Sequence, residues 1–447
     1  MHCSTFLCII AFCVALNTTV FGEGKEEEKK TGWNVGFLPA ISFDSDVGFQ
    51  YGGIVNLFDY GDGTRYPSYR HSLYIEMSRY TKGSGTYRLY YDSGILWNKI
   101  RIRTDLSYLP DRAYDFYGFN GYESVFNKNW EDTSSPDYKT RMFYKYDRSF
   151  FRFKTDLLGA TGAGKLQWLG GLSLLNFDIH SVDINRLNKG KSGKDLLPQV
   201  FEQPGIYELY QQWGIINPEE ATGGFLPVLK AGLVLDTRDI QSNAMSGQWS
   251  EVSLESVEKI LGSKSSFGRI NLLHCHYFTI IPQDLSFAVR VDYQKTLWGT
   301  VPFYYQNQIM TSVMAGTVSE GLGGGKNLRG ILRNRIVGEG IAFGNAEFRW
   351  KFLRKKIFNQ NFYFGLNAFV DGGRVTDRTP IEKYVKDLSV LNNSEFFKSD
   401  AEKMHYSAGS GLRAVMNQNF VLAVDYGMAF DKQDGTSGLY IGLNYLF

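Results

Sequence analysis

The feature that most constrains this chain is a strict alternation of apolar and polar residues in short segments. Along 420–430 every second residue is apolar (Phe420, Leu422, Val424, Tyr426, Met428, Phe430), and Asp425 stands on the other side. Segment 285–294 sets Leu285, Phe287, Val289, Val291 and Tyr293 against Ser286, Ala288, Arg290, Asp292 and Gln294. Segment 100–108 sets Leu106 and Tyr108 against Arg101, Arg103 and Asp105, and 437–447 carries Leu439, Ile441, Leu443, Tyr445 and Phe447 on one face. A period of two is that of a β-strand with one apolar and one polar surrounding. A soluble sandwich buries the apolar face against a second sheet, whereas a barrel in lipid turns it outward and keeps charges in a wet lumen. Alternation alone leaves both open.

Composition agrees with strands. Aromatic residues make up 15% of 447 residues, and 48 glycines against 11 prolines punctuate the pattern. A net charge of +2 gives no electrostatic footprint for nucleic acid. The apolar run 6–16, followed by Val20-Phe21-Gly22, reads as a secretory signal peptide over 1–22, although only His2 precedes it in place of a Lys or Arg. A lipoprotein signal fits less well, because Leu7 precedes Cys8 and Phe12 precedes Cys13. Residues 23–32 form a charged leader. Cys275 is then the one thiol left to the mature chain. Beyond residue 22 no apolar run is long enough for a spanning helix, so an exported chain that enters lipid must do so as a closed barrel, which pairs every backbone group.

Loop lengths favour that solution. Sixteen strands are expected, from 33–43 through 339–352 and 361–371 to 437–447, an even number as outer-membrane barrels have. The long connections 110–139, 181–226, 296–338 and 372–404 all follow odd-numbered strands and fall at one end. The connections 98–99, 281–284 and 417–418 are short and fall at the other. Long loops outside and short periplasmic turns are the outer-membrane pattern. The expected fold is therefore all-β, a sixteen-stranded antiparallel transmembrane β-barrel over 33–447 in the outer membrane. Its lumen is wider than its own strand side chains can fill.

Several short motifs then carry a resemblance. Asp236-Thr237-Arg238-Asp239 precedes Gly247; Pro302-Phe303-Tyr304 precedes the glycine-rich 323–331, which contains Leu328-Arg329-Gly330-Ile331. Gly344-Asn345-Ala346-Glu347, Phe369-Val370-Asp371-Gly372-Gly373, Ser407-Ala408-Gly409 with Gly411-Leu412-Arg413, and Asp425-Tyr426-Gly427 follow in order. In order and spacing the chain resembles the barrel of the BamA/TamA-type outer-membrane assembly factors, the bacterial surface antigens. The resemblance implies that the long loop of 296–338 folds back into the lumen. There Arg329 and Gly330 would anchor it on Glu347 and Asp371, with Leu328, Ile331, Asp236, Arg238, Phe369 and Gly373 at family motif positions. Parity independently turns Glu347 and Asp371 inward, and a guanidinium can fork across two carboxylates. Tyr445 and Phe447 read as the C-terminal strand signal. Two departures stand out: Ile331 occupies a position that is usually aromatic, and 23–32 leaves no room for a POTRA module after the signal peptide.

Other motifs carry little. Gly159–Lys165 has phosphate-loop spacing, but Leu166 stands where Ser or Thr should hold magnesium. His274 and His276 share a face, with no third ligand at diagnostic spacing. Catalytic residues, metal and cofactor are therefore not expected, nor is enzyme activity. The expected function is to assist insertion or translocation of other proteins at the outer membrane. The alternative is a POTRA-less pore or structural barrel. Expected partners are outer-membrane lipid and lipopolysaccharide, and other outer-membrane proteins or an assembly complex.

Overall fold

The computed structural model describes residues 28–44, 48–94, 100–310 and 321–447. The expected signal peptide, residues 23–27 of the leader and the turn 98–99 lie outside them. One antiparallel sheet contains β1 (Trp33–Pro39), β2 (Ser42–Asp44), β3 (Gly48–Asp59), β4 (His71–Tyr80), β5 (Gly85–Ser93), β6 (Arg101–Asp115), β7 (Lys145–Ala160), β8 (Leu166–His180) and β9 (Gly223–Asp236). It continues through β10 (Gly247–Val257), β11 (Phe267–Ile281), β12 (Leu285–Gly299), β13 (Gly340–Ile357), β14 (Gln360–Asp377), β15 (His405–Met416), β16 (Phe420–Ala429) and β17 (Ser437–Leu443). β1 and β2 both pair with β3, Pro39 opposite Gly53 and Ser42 opposite Gln50. They are halves of one strand, interrupted just after Pro39, which has no N–H to give the ladder. Among the described residues the barrel thus has sixteen strands. From β3 onward each pairs with its neighbour in sequence, ending with β16 and β17.

Parity sorts the side chains. Leu106 and Val291 are exposed on the outer face, while Arg290 and Glu347 are buried inside and Arg101 bonds Asp92 there. The described parts of the long connections 116–144, 181–222, 300–339 and 378–404 start and finish at one end. At the other end two hairpins are tight: Phe358 and Asn359 have φ of 47° and 60°, and Asn417 and Gln418 have 50° and 66°. Such paired left-handed residues match the right-handed twist of the strands they join. The long loops are folded. Phe116, Tyr117, Phe119, Trp130, Tyr210, Phe303 and Phe397 belong to one apolar cluster that caps that end.

Several expectations about strand ends need correction: β6 runs to Asp115 and β7 starts only at Lys145, so the connection expected over 110–139 is shifted to 116–144. β13 and β14 run to 18 residues each, past the expected 339–352 and 361–371, because charged residues such as Arg354 and Lys356 continue the ladder opposite Tyr363 and Asn361. The last strand stops at Leu443 instead of 447. Asn444 takes φ 72°, a left-handed conformation that Asn tolerates, and Tyr445, Leu446 and Phe447 are buried.

β17 is short, and among the described residues no paired register joins it to β1 or β2. Between them lies a cavity of about 600 Å³, lined by Leu38, Pro39 and Ile41 on one side and Leu439, Ile441 and Leu443 on the other. Nearer the tight turns, beyond the end of β17, β1 meets β16: a Cβ on Gly36 would lie 2.1 Å from the Phe420 ring. The sheet has curled round to bring its ends together, and the cavity marks the seam.

Candidate functional site: the lumenal loop and its anchor

The connection between β12 and β13 enters the lumen. It begins with a short helix, Phe303–Gln306, whose aromatic residues join the cap. Deeper, the Tyr305 hydroxyl donates to Glu255 at 3.0 Å, and Arg269 donates to the Gln308 carbonyl at 2.9 Å. The returning segment is bound by Arg333 to Asp111 at 2.9 Å and to Asp115 at 2.5 Å. Arg335 donates to the carbonyls of Gly121 at 2.8 Å and Ser124 at 2.9 Å.

Between these contacts Arg329 is fully buried. Its Nε and Nη2 donate to the two oxygens of Asp371, both at 2.9 Å, and its backbone N–H adds a third bond at 3.0 Å. Nη1 lies 2.5 Å from Glu347 Oε1, an ion pair without an aligned hydrogen bond, and 3.7 Å from Asp425 Oδ2. The face of the guanidinium covers the Phe369 ring at 3.4 Å. Neighbouring groups hold the carboxylates. Asn345 donates to Asp371 at 2.7 Å and to the Asn327 carbonyl at 2.6 Å, Arg349 donates to Glu347 at 2.8 Å, and Arg413 holds both oxygens of Asp425 at 2.9 Å. Alternation supplies this geometry: Asn345, Glu347 and Arg349 sit two apart on β13, and Asp371 lies opposite Asn345 on β14.

Gly330 has a separate steric reason. Its φ is 98°, and a Cβ there would lie 2.6 Å from Met428 N on β16. A Cβ on Gly427 would likewise lie 2.6 Å from the Arg329 carbonyl carbon. Two glycines therefore let loop and wall backbones touch, and Gly330 N–H donates to the Tyr440 hydroxyl of β17 at 3.0 Å. Leu328 and Ile331 are buried in a cluster with Leu322, Ile336, Ile341, Phe343 and Val375. Gly373 admits that cluster, since a Cβ on it would lie 2.9 Å from Phe343 Cβ.

Asp236 and Arg238 sit elsewhere, in the turn after β9. They pair at 2.9 Å, and Arg238 stacks over Trp249 at 4.7 Å. Gly247 closes this turn at φ 93°. Tyr445 and Phe447 are not on the outer face. The Phe447 ring lies in the lumen, with the guanidiniums of Arg349 and Arg290 4.6 and 5.2 Å from its centre, and its carbonyl accepts from Arg349 at 3.0 Å. Leu446 and Phe447 pack in a cluster with Cys275, Tyr277 and Trp249. Sequence reading placed Asn345 and Asp425 in motif stretches but not in the anchor, and it missed Tyr440 and this inward tail. Asp425 and Asn345 were signalled by parity, as polar residues opposite apolar faces.

The other motifs fall in ordinary structure. Residues 161–165 form the β7–β8 turn, where a strand–helix junction would be needed for phosphate. His274 donates to or accepts from Ser250 at 2.8 Å on the outer face, and Cys275 is buried on the opposite one.

Residues 203–447 match the Omp85 superfamily domain, a stretch that takes in the loop, its anchor and the final hairpins. The chain belongs to the Omp85 superfamily. It is an outer-membrane β-barrel protein. Among solved structures it is similar to CdiB from Escherichia coli, with TM-score 0.52 and 10% identity over 92% of this chain and 61% of that one. It is also similar to BamA from Haemophilus ducreyi lacking POTRA domains 1-3, with TM-score 0.49 and 15% identity over 93% of this chain and 69% of that one. CdiB from Acinetobacter baumannii gives TM-score 0.42 and 12% identity over 93% and 66%. At such identities the likeness to CdiB concerns the fold. No curated protein sequence matches the chain.

Proposed function

We propose that this Omp85 barrel assists insertion or translocation of other proteins at the outer membrane, reached through an export signal in residues 1–22. The observation that carries the reading is the seam. β17 has seven residues, ends early, and faces β1 and β2 across the cavity of about 600 Å³. An unpaired strand edge templates an incoming strand, and Pro39 keeps this edge from pairing fully. The anchor belongs to the same device. Arg329 ties the loop to Asp371 on β14 and Glu347 on β13, and Gly330 seats it against β16 and β17, beside the seam. The partners in this reading are outer-membrane lipid, lipopolysaccharide and other outer-membrane proteins.

The alternative, a pore or structural barrel, is less well supported, because the loop, the cap and the C-terminal tail occupy the lumen. Depleting the protein from its native cells, followed by quantitative proteomics of outer membranes, tests the choice. Loss of specific outer-membrane proteins supports assembly. An unchanged membrane proteome with altered uptake of small solutes supports the pore.

A further inference from the structure

At the loop end of the barrel, where three connections meet, a histidine is closed in by carboxylates. His405 is the first residue of β15 and is fully buried. Its Nδ1 lies 2.6 Å from Asp434 Oδ1, on the β16–β17 connection, and its Nε2 lies 3.2 Å from Glu402 Oε2, on the 378–404 connection. Its ring stacks on Tyr122 of the 116–144 connection at 3.8 Å. The carboxylates have further donors. Asp434 Oδ2 accepts from the Tyr122 hydroxyl at 2.5 Å, and Glu402 accepts from the backbone N–H groups of Tyr122 at 2.9 Å and Val375 at 2.8 Å. Gly121 makes the close fit possible: its φ is 55°, and a Cβ there would lie 2.1 Å from Glu402 Oε2 and 2.9 Å from His405 Nε2.

This pattern sets the protonation of the ring. A neutral imidazole has one N–H, whereas this ring faces an acceptor at each nitrogen, and only the imidazolium donates to both. The other charges nearby have their own partners. Lys403 pairs with Asp431 at 3.3 Å and lies 5.0 Å from the centre of the Tyr122 ring, and Arg378 holds Glu123 at 2.7 Å. On β14 the residue opposite His405 is Gly373, which adds no charge. Arg335 of the lumenal loop lies 4.0 Å from Asp434 and donates to the carbonyls of Gly121, Ser124 and Gln433, so the node is tied to that loop. Burial by itself would lower the proton affinity of His405; the bonds to Asp434 and Glu402 outweigh it and raise that affinity. The stabilisation is therefore complete below the ordinary imidazole value of about 6.5 and is lost as pH rises through the raised one.

We propose that His405 is a proton-held latch: as an imidazolium it keeps the 116–144, 378–404 and β16–β17 connections docked around Arg335, and its deprotonation releases them from one another and from the lumenal loop. The proposal rests on how these connections meet and not on assembly activity. A neutral ring would set a lone pair against a carboxylate. Ring and carboxylates are all buried, so water does not relieve that mismatch while the cap stays closed. The strands are held by continuous ladders, so the connections are the part that gives.

The test is hydrogen–deuterium exchange of the full protein in mild detergent between about pH 6 and about pH 10, corrected for base catalysis of exchange, with the histidine rings titrated in parallel by NMR. The expected result is that amides of 120–126 and 431–435 lose about tenfold or more of their protection as the His405 ring deprotonates, while amides in the middle of β13 and β14 do not change. Asp434→Asn removes one of the two carboxylates and should move the loss to lower pH. His405→Gln has no proton to lose, so both segments should exchange fast at every pH, with the heat-modifiable gel shift of a folded barrel retained. Protection that is unchanged through the titration of the ring overturns the proposal. So does a folded His405→Gln variant that is as protected as the parent or keeps the pH-dependent loss, and so does a His405 ring that is neutral at about pH 6 or still charged at about pH 10. The pH series on the parent protein needs no variant, so it decides even if the substitutions disturb folding.

Discussion

Arg329 shows what a single residue is asked to do. It neutralises two carboxylates in a place where its own side chain is fully covered. Removing one partner of a buried pair costs roughly 3–5 kcal/mol, because the remaining charges stay uncompensated. Here Arg349 still holds Glu347 and Asn345 still donates to Asp371, so Arg329→Ala should fall at or below the low end of that range. The barrel should stay folded, with faster proteolysis within 300–339 and higher ion conductance in planar bilayers. Arg329→Lys should rescue poorly, since an ammonium has no planar fork to span Asp371 and Glu347. Gly330→Ala tests the backbone instead of the charge. With φ at 98° and Met428 N in the way, it should destabilise the loop by more than about 1 kcal/mol, read as earlier loop cleavage with the ion pairs intact.

At the scale of elements, the C-terminal tail and the long loops make separate predictions. Phe447 and Leu446 cover Cys275 inside the barrel. Phe447→Ala should open that cluster at a cost of about 3 kcal/mol or less, because a tail can collapse into the space more easily than a core can. A small maleimide should then label Cys275 in the folded variant, where the parent protein resists. The connections differ by side of the membrane. Trypsin added to intact cells should cut near exposed Lys189, Lys194 and Lys383 and spare exposed Lys165 in the β7–β8 turn. Cleavage at Lys165 first, with the other sites protected until the membrane is breached, would reverse the orientation.

For the whole molecule, the question is whether the seam works by opening. The described ladder runs unbroken from β3 to β17, so the sheet's ends are the natural place for it to part. Cysteines at Ile41 and Leu439, joined by a bifunctional maleimide of suitable span, should lock it. The locked barrel should keep its gel shift and lose assembly activity. Full activity of a quantitatively cross-linked barrel would place the working surface elsewhere. The same experiment separates seam from anchor, because Arg329→Ala loosens the loop without bridging the strands.

Much of this architecture was legible from the residues. Alternation in 285–294 and 420–430 sets which side chains face out, since neighbouring side chains on a strand must point to opposite faces. The segregation of long connections at one end follows from counting strands, because each antiparallel strand reverses direction. Inward carboxylates such as Glu347 and Asp371 were readable for the same local reason. Their meeting with Arg329 was carried by a motif resemblance and not by any period, for it depends on a distance across the lumen that the strand pattern does not encode. The tail shows the limit most clearly. Tyr445 and Phe447 keep the outward parity of Leu439 and Ile441, yet one left-handed residue, Asn444, turns them inside. Local periodicity determined the strands and their faces. Tertiary structure decided what fills the lumen, because the filling groups come from loops and a terminus whose partners lie on distant strands.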